Sequence, residues 1–335
     1  MSVRVQFEEM QSEFERVLLK KGLTAELAKT NATLFAQNSL DGIYSHGLNR
    51  FPKVVEYIDK GHIQVNAVAE RENGFGALER WNGNMGMGPS NAKLCMSRAV
   101  ELAEQFGIGC VALRLTNHWM RGGAYGLLAA DMGCVGICLT NTSPNMPAWG
   151  GLDNRIGNNP FIVAIPRANG KHFMLDMAVS QYSYGAVEKA ARAGQMLPVP
   201  GGYDVDGDLT NDPKLLWASR RMLPVGFWKG SCMSMVFDLL AAGLSHGNTT
   251  QDIGNLPDEI ASSQLFIAIS PDKFEDSDYL RRITDNTIEH IKASVPETAN
   301  GVIYYPNEMS YETRADNLKN GIPADEEFWN TVKSM

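Results

Sequence analysis

Apolar residues recur at helical spacing over 6–21, where Phe7, Met10, Phe14, Val17 and Leu18 share one face and Gly22 supplies the stop. Thr24 is placed to cap a second helix reaching about Asn38, and an apolar stretch over 51–59 predicts a third that ends near Gly61. Short extended pieces and turn signals occupy 64–82, and the run Gly83–Ser90 opens a helix through Phe106. From 108 onward strand and helix patterns alternate: 108–115 and 134–139 read as strands, 123–132 as a helix. Residues 161–166 and 172–177 flank Arg167-Ala168-Asn169-Gly170, a hairpin signal. A loop-rich stretch over 196–224 precedes a strongly apolar helix at 231–242, which Gly243 should stop. A strand over 264–270, a helix over 275–293, a strand over 302–305 and short helices near 310–319 and 324–333 complete the pattern.

This order predicts an α/β (α+β) fold. Helical material at both chain ends, 1–75 and 290–335, is expected to form one discontinuous domain around an α/β region at 76–289. Hydrophobic residues make up 44% of the 335 and charged ones 20%, enough for a sizeable core. The net charge of −8 argues against nucleic acid or an anionic membrane surface as the main partner. Cys95, Cys110, Cys134, Cys138 and Cys232 are odd in number and lie mostly in apolar runs, so they read as free thiols in a reducing compartment. With no signal-like N-terminus and no apolar run free of polar residues, the expectation is a cytoplasmic protein that does not enter the membrane.

Candidate chemistry centres on Tyr44-Ser45-His46-Gly47-Leu48-Asn49-Arg50-Phe51, at the mouth of the third helix. An imidazole passes protons near neutral pH and a guanidinium grips carboxylates, so the pair suits an acid whose neighbouring oxygen gains or loses a proton. The plainer reading is a solvated helix face. His118 and Arg121, followed by two glycines after a predicted strand, read either as a second half of an anion pocket or as a turn with a structural histidine. Lys229 before the apolar helix is either an anion site or a solvated lysine.

Several look-alikes are set aside. Gly86-x-Gly88 would put the third glycine of a dinucleotide fingerprint on Asn91. Gly243-x-Ser245-x-Gly247 imitates a hydrolase elbow, but a helix rather than a strand leads into it. Asp204–Asp208 lacks the spacing and closing Glu of a calcium loop, and Cys134 with Cys138 lacks a second zinc-ligand pair, so no metal site is expected.

Taken together, Tyr44-Ser45-His46-Gly47 with Arg50, Asn117–Gly123, Arg155–Pro160, Leu175-Asp176-Met177, Gln181–Gly185 and Trp228–Ser231 make the chain resemble the malate/L-lactate dehydrogenase type-2 family. That resemblance runs end to end. It implies a homodimer with a non-Rossmann mixed-sheet nicotinamide-binding domain and a helical domain built from both chain ends. It also implies NAD(H) or NADP(H) as cofactor and reduction of a sugar-derived 2-oxo acid. Malate-, lactate- or ureidoglycolate-type dehydrogenation is the alternative, with a Ser245 hydrolase as the outsider. On residue chemistry Arg50, with Arg121 and His118, is expected to clamp the substrate carboxylate, and by the same resemblance His46 is the proton donor. His172, Phe173, Met174, Leu175, Asp176, Met177, Ala178, Trp228, Lys229, Pro306, Asn307 and Glu308 contact the cofactor. Asn307-Glu308 departs from the family's usual turn, and Ser143-Pro144-Asn145 is a loop placed to line the pocket. A protonated donor needs a nearby carboxylate, for which Asp176 is the expected candidate.

Overall fold

The computed structural model describes residues 2–274, 276 and 278–335. Strand β1 (Ser2–Val5) leads into helices α1 (Phe7–Lys20), α2 (Ala25–Leu40) and α3 (Phe51–Asp59). The hairpin β2 (Glu70–Phe75) and β3 (Leu78–Asn82) precedes α4 (Gly88–Phe106), β4 (Ile108–Thr116), α5 (Gly123–Asp131) and β5 (Val135–Thr140). A small pair, β6 (Met146–Pro147) and β7 (Asn154–Ile156), comes before β8 (Phe161–Ile165) and β9 (Phe173–Met177). Then follow α6 (Tyr184–Ala193), the short strands β10 (Gly202–Tyr203) and β11 (Leu209–Thr210), α7 (Pro213–Ser219) and β12 (Arg221–Met222). The chain finishes with α8 (Trp228–Ser245), α9 (Thr250–Gly254), β13 (Ser262–Ile269), α10 (Tyr279–Lys292), α11 (Glu308–Asn320), β14 (Ile322–Asp325) and α12 (Glu326–Ser334).

A seven-stranded sheet in the order β2-β3-β4-β13-β5-β8-β9 is the scaffold. Its one parallel junction is β3 with β4; the other five are antiparallel, so the sheet is mixed. Side chains alternate between its faces. Phe266 of β13, opposite Val111 and Cys138, turns to the side covered by α4 and α5. Leu265, opposite Ala112 and Leu139, turns to the side crossed by α8, where Phe161 stacks on Phe237 at 5.0 Å.

The helical core joins the two ends of the chain. β1 pairs antiparallel with β14, and Val5, Met10, Phe14, Phe35 and Phe51 share one cluster with Ile322, Trp329 and Val332. Phe14 stacks on Phe51 at 4.2 Å and Phe35 meets Phe51 edge-on at 5.2 Å, which fixes the first residue of α3. The boundaries expected at 75 and 290 fall at the end of β2 and inside α10. No helix among the described residues is long and apolar enough to cross a membrane.

Three local expectations change, and other elements are new. The apolar helix α8 runs through Gly243 to Ser245 and is stopped by His246 at φ 54. A helical glycine costs only about 1 kcal/mol, less than the packing of the last turn returns. Residues 302–305 form no strand; instead Pro306 accepts one hydrogen bond from the Met174 amide at 3.3 Å, alongside the edge strand β9. Of the helix expected over 275–293, residues 275 and 277 lie outside the described residues and the regular part is α10. Helix α6, capped by Ser183, and the β1–β14 pair were not expected.

Candidate active site

His46 does not sit on α3. It ends a short 3-10 turn, Tyr44–His46, ahead of that helix, and Arg50 occupies the N-cap position. Two bonds hold the turn to α2: the Asn38 side-chain amide donates to the His46 carbonyl at 3.0 Å, and the Leu48 amide donates to Ser39 Oγ at 2.9 Å. Gly47 permits this approach. A Cβ there would lie 2.1 Å from Ser39 Oγ.

The loop after β4 brings His118 against His46, with ring centroids 5.7 Å apart and planes 22° from parallel. His118 Nδ1 accepts the Met120 amide at 2.9 Å, which leaves the proton of the neutral ring on Nε2. On His46 the Nδ1 atom is 3.0 Å from Ser45 Oγ. Both rings are held neutral well into the acid range. Burial, then His118, Arg50 and Arg121, lowers the His46 pKa to about 3, while Glu259 pulls it the other way. Burial, then Arg50, lowers that of His118 to about 3. The carboxylate that counters the cations is therefore Glu259. Asp176, expected in that role, instead accepts the Gly123 amide at 2.9 Å and lies 3.8 Å from Arg121 Nε; burial raises its pKa.

The two arginines part company here. Among the described residues, Arg50 has no hydrogen-bond acceptor and no ion-pair partner, so its fork is open to a ligand. Arg121 is buried, ion-paired to Asp41, and donates to Asn307 Oδ1 at 3.2 Å. Asp41 also binds Arg314 at 2.7 Å. Burial of a guanidinium demands such partners, and they occupy the group expected to clamp the substrate.

The segments assigned to the cofactor meet in part. His172–Ala178 spans β9, and Asn307-Glu308 begins α11 beside it: Tyr311 Oη donates to the His172 carbonyl at 3.2 Å and Phe173 stacks on Tyr305 at 6.5 Å. Trp228-Lys229 begins α8 beyond the other end of β9, where the Val225 amide donates to the Val179 carbonyl at 2.8 Å. A cavity of about 760 Å³ opens between α2, α5 and α11, with His172, Asn307, Lys29, Lys93 and Arg314 in its wall. The side-chain amide nitrogen of Asn307 is buried without a partner. The cations and the unsatisfied donor suit a phosphate-bearing group, Asp41 and Asp131 stand in the same wall, and of the segments assigned to the cofactor His172 and Asn307 are the residues that reach it. His172 itself is a hairpin fixture, accepting the Arg167 amide at 3.0 Å on Nδ1.

The look-alikes resolve locally. Gly86 and Gly88 press against the Ala67 and His118 carbonyls, where a Cβ would lie at 2.3 and 2.2 Å, leaving no room for a phosphate. Ser245 is buried in α8 and donates to the Ala241 carbonyl at 2.7 Å, so it is no nucleophile. Asp204 Oδ1 accepts the amides of Asp206 and Asp208, making a turn. The residues that sequence reasoning missed are Asp41 and Glu259. Neither lies in a recognisable motif, and each gains its place only through contacts with distant segments.

Residues 5–333 match the model of the malate/L-lactate dehydrogenase family. The chain is 41% identical over 334 residues to the 2,3-diketo-L-gulonate reductase of Haemophilus influenzae, covering 99% of this chain and 100% of that one. Its fold is similar to that of a malate dehydrogenase from Entamoeba histolytica, with a TM-score of 0.94, 26% identity and 100% and 97% of the two chains covered. It is likewise similar to a sulfolactate dehydrogenase from Methanocaldococcus jannaschii, with a TM-score of 0.89, 29% identity and 99% and 96% covered. The mixed sheet and the near-complete family match agree: this chain belongs to the malate/L-lactate dehydrogenase family, nicotinamide-dependent oxidoreductases that act on the CH–OH group of small acids.

Proposed function

We propose that the protein reduces a sugar-derived 2-oxo acid at C2, on the pattern of the relatives named 2,3-diketo-L-gulonate reductase, giving 3-keto-L-gulonate. One observation carries this reading: two stacked neutral imidazoles stand beside a guanidinium that has no protein partner among the described residues. A bound nicotinamide, NAD(H) or NADP(H), supplies the hydride. His172–Ala178, Trp228-Lys229 and Pro306–Glu308 are the segments we assign to hold it, with Arg121 positioning Asn307 among them.

Arg50 takes the substrate carboxylate as a fork, and the His118 Nε2–H is available to the same group or to the adjacent oxo oxygen. His46 delivers a proton to the C2 oxygen as negative charge builds there. In the free protein burial and nearby cations keep His46 neutral. An arriving carboxylate offsets the Arg50 charge and so removes one of the causes that lower the His46 pKa, and the ring takes up its proton from solvent. The turn into α3 carries His46 and Arg50, the loop after β4 carries His118, and β9, α8 and α11 carry the cofactor segments; we take the cleft among them as the working site.

We assign a homodimer as the working form. Met235, Val236, Leu239, Leu240 and Leu244 leave the outer side of α8 apolar and exposed, a surface that a second copy would cover. Leu239→Glu is expected to yield monomers in sedimentation, and a monomeric wild type removes the assignment.

The decisive assay follows reduced-nicotinamide absorbance with both cofactors across a panel of 2-oxo and 2-hydroxy acids. Turnover of diketogulonate above pyruvate and oxaloacetate supports the reading. Preference for oxaloacetate moves the protein to the malate type, which the fold neighbours named as malate dehydrogenases favour. Cofactor binding without turnover of any acid would leave a silent binding module.

A further inference from the structure

The cleft beside His46 also contains a carboxylate that the reaction above does not use. Glu259 lies half-buried in the loop ahead of β13. Its Oε2 accepts the Ser143 amide at 3.3 Å and the Ser143 hydroxyl at 2.8 Å. Among the described residues, its Oε1 receives no hydrogen bond and no cation pairs with it.

A circuit of contacts brings Glu259 to the neighbourhood of the cleft, where Tyr57 lines a cavity together with Arg50 and His118. The preceding residue, Asp258, accepts from Tyr57 of α3 at 3.3 Å and pairs with Lys60 at 3.1 Å, at the far end of the helix that Arg50 opens. On the other side Ser143 belongs to the loop after β5, and in that loop the Asn145 carbonyl accepts the Tyr184 hydroxyl at 2.9 Å. Gly185 then abuts Ser45, where an added Cβ would sit 3.3 Å from the serine Cβ. The circuit closes at His46. The Glu259 charge pulls upward on the pKa of Tyr57, Tyr184 and His46, which belong to separate elements.

A carboxylate without a cation is an unusual lining for a cleft that takes acids. It repels a second carboxylate and accepts hydrogen bonds from hydroxyls. We propose that Glu259, braced by Ser143, is the specificity residue of this site: it accepts hydrogen bonds from the hydroxyl-bearing tail of the substrate and turns dicarboxylates away. The inference rests on the 2-oxo acid reductase reading, with the substrate's own carboxylate at Arg50. It uses both halves of selectivity, an attraction for the right tail and a repulsion for the wrong one.

The test compares kcat/KM of wild type, Glu259→Gln and Glu259→Asp for 2,3-diketo-L-gulonate, pyruvate and oxaloacetate. Glu259→Gln is expected to lower the value for the hydroxylated acid by about ten- to a hundredfold relative to pyruvate, any loss common to all acids through His46 dividing out of the ratio. It is expected to raise oxaloacetate by about tenfold, because the repelling charge is gone. Glu259→Asp keeps the charge with a shorter reach, so it should lose diketogulonate yet still reject oxaloacetate. This second variant carries the test if the first fails to fold. An equal fall for all three acids, or a shifted pH profile with unchanged ratios, overturns the proposal and leaves Glu259 as an electrostatic support for His46. A wild type that reduces none of the three sinks the reductase reading itself. A wild type that works while both variants keep its substrate ratios sinks the Glu259 proposal alone.

Discussion

The turn into α3 and the loop into α5 each deliver a histidine and then an arginine, His46 with Arg50 and His118 with Arg121, yet the two segments end in different states. Their imidazoles meet face to face at 5.7 Å. Their guanidiniums diverge: Arg50 stands at the cleft without a partner among the described residues, while Arg121 is 5% exposed and tied to Asp41 and Asn307. On the proposed function, the contrast separates an arginine kept for the substrate from one used to build the protein. A guanidinium taken out of water must be paired at once, so only one left at a rim keeps its fork for a ligand.

The sharpest way to test the contrast is to delete the proposed proton donor. His46→Ala is expected to cut turnover by about 10² to 10⁴-fold with little change in acid affinity, measured by steady-state kinetics. Unchanged turnover would remove His46 from the chemistry. Next comes the building arginine. Arg121→Met strips Asp41 of one partner and Asn307 of its donor, and urea unfolding should show a loss of about 3 kcal/mol. Arg50→Met should stay within about 0.5 kcal/mol of wild type in the same experiment. Equal losses would erase the distinction.

Smaller effects follow from geometry and charge. Arg50→Lys replaces a planar fork with a point charge, and KM for the acid should rise about tenfold while kcat changes less. An effect of another kind is read from stability against pH. His46 and His118 have pKa values lowered from 6.5 to about 3 in the folded protein, so between those values the unfolded chain binds more protons. Stability therefore declines as pH falls through that window, and it is not penalised above it. His118→Asn should flatten the slope; an unchanged slope would mean that the buried imidazole does not govern it.

Periodicity placed most helices within a few residues, because an amphipathic face is a local property of the sequence. The segment 6–21 became α1 at Phe7–Lys20, and the hairpin around Arg167–Gly170 joined β8 to β9 as expected. It failed where local preference met packing. Gly243 did not end α8, and the apolar residues of 302–305 ran beside β9 without pairing as a strand. His46, Arg50 and His118 could be picked out from residue type and company in the chain, since their chemistry belongs to the side chains themselves.

The sequence by itself determined which groups are present: the two imidazoles, the two guanidiniums, the glycine that lets the His46 turn close on Ser39, and the apolar pattern that builds two cores. Only the tertiary structure decided which of them remain free. Asp41 reaches Arg121 across 80 positions, and Glu259 reaches Ser143 across 116. Pairing of that kind depends on distance and burial in space, which no local pattern in the chain encodes, and it is what divides a residue that binds a ligand from one that holds the protein together.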